Sequence, residues 1–277
     1  MRTSLGEFDA ILRHRQQADS GTLGDGRRLA LPEFLLDQAG ELPSGEVDRS
    51  QARVRYKGWI GTDGQLDQQW QEITDVLGHA SVWAFLEISG SGQSWSRAAV
   101  AVRRNSAYMV VLDDRTAHID EVRPDAPWPA LVGCLPERPA SEGSAITVAS
   151  SAWSSASSAA AQFLADGGDG IALTYELRQR DVPDDEARAI GTLMRAAGPV
   201  IARMTVAIRD AHDEVRPARQ AIRVRHTPSG RLAEVPKQPH GREILLTPAD
   251  DALLTQSLQD HVNGLVERFE VAAPERR

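Results

Sequence analysis

The chain has 277 residues, 41% hydrophobic and 25% charged, enough to bury a core without metal or disulfide staples. Its 31 lysines and arginines against 39 aspartates and glutamates leave a formal net charge of −8, and an acidic body repels polyphosphate over about 8 Å, which argues against nucleic acid as a partner. The single cysteine, Cys134, excludes an intramolecular disulfide and the common cysteine-based zinc frameworks, so a reducing compartment is expected.

Residues 1–15 carry Glu7, Asp9, Arg13, His14 and Arg15 with no apolar signal core, and no apolar run approaches the roughly 20 residues that span a bilayer. A cytosolic location is the expectation. Residues 8–15 read as a short strand or helical turn, and residues 19–26 as a glycine- and aspartate-rich loop. Residues 33–40, between Pro32 and Gly40, read as a helix with proline at its start and glycine at its end. The stretch Ala52-Arg53-Val54-Arg55-Tyr56 alternates like a strand or extended arm. Leu66, Trp70, Ile73 and Leu77 then fall at helical spacing between the turn Thr62-Asp63-Gly64 and Gly78.

From Val82 the period changes to two. Runs at residues 82–88, 97–103, 107–112 and 117–122 are separated by short turns, the pattern of an antiparallel meander, and residues 126–132 follow as a proline-led helix. Residues 136–151 are rich in Pro, Ser and Gly and read as a linker in which Ile146-Thr147-Val148 can form a short strand. The expected organisation is therefore an N-terminal α+β half over residues 1–135, a linker over 136–152, and a C-terminal α+β half over 153–277. In the second half, residues 153–164 and 184–197 read as helices. Strands are expected near 201–208, 218–225, 231–235 and 243–246, with a closing helix over 250–269.

The two halves echo one another. Ala99-Val100-Ala101-Val102-Arg103 aligns with Ala221-Ile222-Arg223-Val224-Arg225, and Val122-Arg123-Pro124-Asp125-Ala126 with Leu246-Thr247-Pro248-Ala249-Asp250. The spacing is too long for a solenoid and points to two α+β halves in a pseudo-two-fold arrangement sharing one sheet. A chance likeness between two meander-plus-helix segments is the plainer alternative.

Chemical motifs are sparse. The seven histidines are scattered, with no H-E-x-x-H and no i, i+4 pair, so neither a metal nor a cofactor is expected. His118 and Asp120 share one face of a strand, either as an acid/base pair or, more simply, as a solvated edge. Gly90-Ser91-Gly92-Gln93-Ser94 lacks the Gly-Lys-Ser/Thr ending of a phosphate loop and reads as a hairpin loop. No nucleophile-elbow pattern is present, so no catalytic residue is named; a Ser/His/Asp triad assembled from distant segments stays open. Two features favour binding. Trp95, with Gln93, is placed in the hairpin loop as an aromatic anchor, or else folds back on its own sheet. Alternation also puts Ala99, Ala101, Arg103, Arg203, Thr205, Ala207, Ala221, Arg223 and Arg225 on one sheet face, expected to be uncovered. Such a face suits another protein's helix tip, with arginines pairing acidic or C-terminal carbonyl groups, or is an ordinary solvated face.

The paired meanders, the segment Arg53-Val54-Arg55-Tyr56-Lys57-Gly58-Trp59 and the turn Arg225-His226-Thr227-Pro228-Ser229-Gly230-Arg231 resemble the EspG family of ESX (type VII) secretion-associated proteins of actinobacteria. The resemblance spans nearly the whole chain and rests on pattern, with the Thr-Pro-x-Gly-Arg turn as its closest local match. It implies a cytosolic, non-enzymatic chaperone that keeps helical secretion substrates, PE–PPE-like pairs, soluble for delivery to the secretion machinery. It also implies cargo contacts at the hairpin loop (Gln93, Trp95), on the central sheet (Arg103, Arg203, Arg223, Arg225) and on the helix bearing Arg188, Met194 and Arg195. On this reading Arg225→Glu weakens cargo binding and leaves the fold intact. Homodimerisation stays open. The rival reading is a small-molecule-binding or sensing domain, which needs a closed, mostly apolar cavity of about 300–1,000 Å³.

Overall fold

The computed structural model describes residues 1–22, 44–90, 93–113, 116–165, 171–195 and 197–269. The expected helix at 33–40, most of the glycine-rich loop before it and the hairpin tip at 91–92 lie outside the described residues.

Strand β1 (Arg2–Ser4) leads into helix α1 (Leu5–Thr22), where a strand or single turn was expected. Phe8, Ile11 and Leu12 are buried along α1. Residues 52–56 are not an extended arm but the end of helix α2 (Ser44–Tyr56). Of that alternating stretch only Val54 is buried, while Arg53 and Arg55 lie in the last turn, where a cation favours the helix dipole. Lys57, just beyond, reaches the buried Glu7 carboxylate of α1 at 2.8 Å and ties the two helices together. Helix α3 (Gln68–His79) matches its periodicity: Trp70, Ile73 and Leu77 are buried, and the Asp67 side chain caps it by accepting from Trp70 N–H at 2.8 Å.

The first meander is β2 (Val82–Gly90), β3 (Gln93–Arg103), β4 (Ser106–Asp113) and β5 (Thr116–Glu121), followed by helix α4 (Trp128–Val132). Its first hairpin is longer than expected. Pairing continues to Gly90 opposite Gln93, past a register shift between Ile88 and Gly90, so Gln93 and Trp95 belong to β3 and not to a loop. β5 is no solvated edge either, because β1 pairs on its outer side with Arg2 opposite His118.

The stretch expected as a linker holds β6 (Ile146–Ala149) and the first residues of helix α5 (Ser150–Ala165). It is also tied to the sheet: Arg231 N–H donates to the Pro139 carbonyl at 2.8 Å and Ser141 N–H to the Arg231 carbonyl at 2.9 Å. Helix α6 (Ile171–Arg178), too short to show a period, precedes α7 (Asp184–Arg195). The second meander is β7 (Val200–Arg209), β8 (Val215–Pro217), β9 (Ile222–Thr227), β10 (Gly230–Pro236) and β11 (Glu243–Pro248), closed by α8 (Asp251–Arg268).

All strands join one sheet in the order β1-β5-β4-β3-β2-β7-β9-β10-β11-β6, with β8 added beside β7. The two meanders meet at the antiparallel β2–β7 seam, Phe85 opposite Thr205, and the sheet ends are finished by the short strands β1 and β6. Burial divides by face. Trp70, Phe85, Ala99, Ala101 and Val110 form a core under α1–α3, and Trp153, Ile190, Leu232 and Leu246 form another under α5–α7 on the same face. The opposite face, with Leu86, Val100, Met204 and Val224, is covered by α4 and α8 through Leu131, Leu254 and Leu258. Among the described residues no helix covers the strip between the two helical layers, where Arg203 is exposed and Glu87, Thr205 and Arg223 are half-buried.

Candidate functional site: an arginine cleft at the sheet centre

Strand register places one row of side chains directly opposite one another across the open strip: Arg97 on β3, Glu87 on β2, Arg203 on β7, Arg223 on β9 and Glu234 on β10. Arg97 and Glu87 approach to 3.7 Å at one end. At the other, Glu234, only 2% exposed, is surrounded by donors. It accepts from Trp153 Nε1 at 3.0 Å and from Arg225 Nε at 2.7 Å, while the Arg223 guanidinium stands 3.5 Å away. A buried carboxylate is tolerable only with such partners. In the middle, Arg203 faces Arg223, a like-charged cross-strand pair, and the exposed Arg203 makes no ion pair among the described residues.

Beside this row lies a cleft of about 320 Å³ lined by Arg203, Arg219, Arg223, Glu234 and the ring of Trp153. Ser150 and Gln220 also line it, and their Oγ and Oε1 atoms are buried without a hydrogen-bond partner. An amide can present nitrogen instead of oxygen by rotation, so the cleft can offer a hydroxyl, an amide and three guanidinium groups, all donors.

Of the residues expected from sequence, the structure thus brings together Arg203, Arg223 and Arg225, with Thr205 and Ala221 beside them. The rest of the expected face is not open. Ala99, Ala101 and Ala207 are at most 2% exposed, because residues this small let α3 settle directly on the strands. Arg103 is engaged by Asp75 of α3, and burial with Arg104, Arg209 and Arg15 nearby pulls its pKa below the usual arginine value. Arg225 points into the fold, holding Glu234 and donating to the Gly198 carbonyl at 3.1 Å, so Arg225→Glu would set two carboxylates together and is a stability variant. Met194 is 4% exposed in the core under α7 and is not available at the surface. Arg188 is exposed on α7, bonded to Asp184, away from the cleft, and α7 ends at Arg195. Gln93 and Trp95 stand at the start of β3, at the sheet end where the next strand begins at Val200.

Sequence reasoning missed Glu87, Arg97, Arg219, Glu234 and Trp153. Their signal was the register itself: once β2 pairs with β7, alternation alone puts Glu87 beside Arg203.

Two other clefts, of about 640 Å³ along α7 near Ser229 and about 470 Å³ between α8 and His240, are like the first open to solvent. Among the described residues no group of three or more His, Cys, Asp or Glu could hold a metal ion, and no helix is long and apolar enough to cross a membrane.

A search of curated proteins gives no significant match. Among solved structures the fold is similar to the Mycobacterium tuberculosis type VII secretion system chaperone EspG5, solved in complex with a PE25–PPE41 dimer. The match has a TM-score of 0.55 and 16% identity and covers 79% of this chain and 85% of that one. The EspG family model matches residues 26–260, which takes in both meanders, the seam between them and the arginine cleft. The chain belongs to the EspG family.

Proposed function

We propose that the protein is a cytosolic chaperone of a type VII secretion system, without catalytic activity, that binds a PE–PPE-like helical pair and keeps it soluble for delivery. The observation that carries the reading is the strip of sheet that no described helix covers between the two helical layers, with the exposed Arg203 at its centre. A helix end seated in the strip would meet the donors of Arg203 and Arg223, and an exposed apolar helix tip is a liability that such a groove removes from water. Family membership and the likeness to EspG5 in its PE25–PPE41 complex support the same partner class. The rival, a small-molecule-binding domain, needs an enclosed apolar cavity, whereas the three clefts described are open.

The test is co-expression with a PE–PPE pair from the same genome, followed by affinity purification and mass determination by light scattering. A stoichiometric ternary complex is expected. Isolation of the protein alone, carrying a small molecule in native mass spectrometry, would overturn the proposal in favour of the rival.

A further inference from the structure

The charge row across the sheet centre runs plus, minus, plus, plus, minus: Arg97, Glu87, Arg203, Arg223, Glu234. Each end has its own pairing, Arg97 with Glu87 and Arg223 and Arg225 with Glu234. Arg203, in the middle, has none among the described residues. Arg203 and Arg223 stand directly opposite with no carboxylate between them, on a protein whose acids outnumber its bases by eight. Like charges paired across strands oppose one another; Glu234 offsets this for Arg223, whereas Arg203, with Glu87 opposite on its other side, makes no ion pair among the described residues. The same spot offers Arg219, with Ser150 and Gln220 beside it, whose Oγ and Oε1 atoms have no hydrogen-bond partner. Among the described residues Glu234 is the one acid lining the cleft, and Trp153, Arg225 and Arg223 already surround it.

We infer that the cleft is completed by a carboxylate from the cargo, an aspartate or glutamate side chain of the docked helical pair set between Arg203 and Arg223. This rests on the chaperone reading and adds the chemistry that selects the partner. Planar guanidinium groups match a carboxylate's two oxygens in bidentate geometry, and a charged anchor of this kind sets association rate and discrimination between partners more than total affinity. A cargo with an arginine or an apolar residue at that position is rejected, because the arginine pair then loses water and gains no partner.

The test has two arms. In the first, affinity for a co-expressed PE–PPE pair is measured at 50 and 300 mM NaCl for the wild type, Arg203→Ala, Arg223→Ala, the double variant and the surface control Arg123→Ala. In the second, the free chain is titrated with sodium citrate at constant ionic strength while the arginine Nε–Hε NMR signals are followed. Glu234 keeps Trp153 and Arg225 in both single variants, so unchanged melting temperatures are expected and confirm folding. The inference expects each cleft substitution to weaken cargo binding roughly tenfold at low salt, with a flatter salt dependence. Citrate should shift the Arg203 and Arg223 signals saturably.

Wild-type affinity and salt slope in the double variant, together with saturable citrate shifts, would mean that the cleft takes a free small anion. That result removes the cargo carboxylate and leaves the chaperone function standing. Absence of both effects would overturn the cleft as a carboxylate site. A wild-type chain that binds no PE–PPE pair at all would instead bring down the chaperone reading, and with it the cargo as source, while the citrate arm still decides what the cleft holds.

Discussion

Glu234→Ala probes how the cleft's floor is held. The carboxylate is 2% exposed and accepts from Trp153, itself 1% exposed, and from Arg225. Removing one member of a buried ion pair costs about 3–5 kcal/mol, because the remaining charge is left without water or partner. Two features move the expectation to the lower end. The Arg223 side chain is 43% exposed and recovers hydration, and Arg225 retains the Gly198 carbonyl at 3.1 Å. Trp153 Nε1 has no second acceptor, which keeps the loss substantial. The expected destabilisation is about 3 kcal/mol, or about 6 °C in Tm for a chain of this size. Glu234→Gln, which keeps an acceptor and loses the charge, should lose about half of that. Urea unfolding read by tryptophan fluorescence, with calorimetry for Tm, measures both. A double-mutant cycle with Arg225→Met should give a coupling above about 1 kcal/mol. If Glu234→Ala unfolds within about 0.5 kcal/mol of wild type, or the coupling vanishes, the carboxylate does not organise the cleft and the reasoning is wrong.

Met194→Ala should destabilise by about 2–4 kcal/mol through an unfilled space in the core under α7, whereas Arg188→Ala should leave Tm within about 1 °C; equal effects in thermal melts would contradict the placement of Met194. Gly230 has φ +153°, and a Cβ there would stand 2.4 Å from the Pro139 carbonyl oxygen and 2.7 Å from Ala140 backbone, so Gly230→Ala should lose about 3 kcal/mol or more in urea unfolding. His261 is buried, its Nε2 donating to the Pro236 carbonyl at 2.6 Å, and burial holds its pKa below the usual histidine value against the raising effects of that bond and of Asp260. The unfolded chain therefore takes up the proton first, so stability falls as pH drops below about 6.5, and calorimetry from pH 7.5 to 5.5 should show a shallower slope in His261→Gln.

Most of the strands were legible because their signal is local. The alternation from Val82 onward and the short turns between runs gave both meanders, and Leu66, Trp70, Ile73 and Leu77 at helical spacing gave α3. What failed depended on distant partners. Residues 52–56 look extended until α1 supplies a surface for Val54, and α6 is stabilised by its neighbours in the bundle more than by its own eight residues. At the site, alternation correctly put Arg203, Arg223 and Arg225 on one face but could not say what lay above each. The alanines of that face attract a helix because they are small, Arg225 is drawn inward by an acid nine residues later, and Met194 sits on the inner face of its helix. Which arginines remain free is set by the β2–β7 and β9–β10 registers, information that no window of sequence contains.

The short strand at each sheet end has a consequence for synthesis. β1 is made well before β5, yet it pairs with it, and the Met1 nitrogen meets the Ile119 carbonyl 118 positions along the chain. The other end repeats the delay, since β6 must wait for β11 to be made. Until these closures each half presents a bare strand edge, the template on which nascent chains misassociate. A protein with this topology has a vulnerable interval during its own translation that ends only when β1 and β6 are drawn against strands made much later. Substitutions in Arg2–Ser4 are therefore expected to act on the yield of native molecules more than on the stability of those that form.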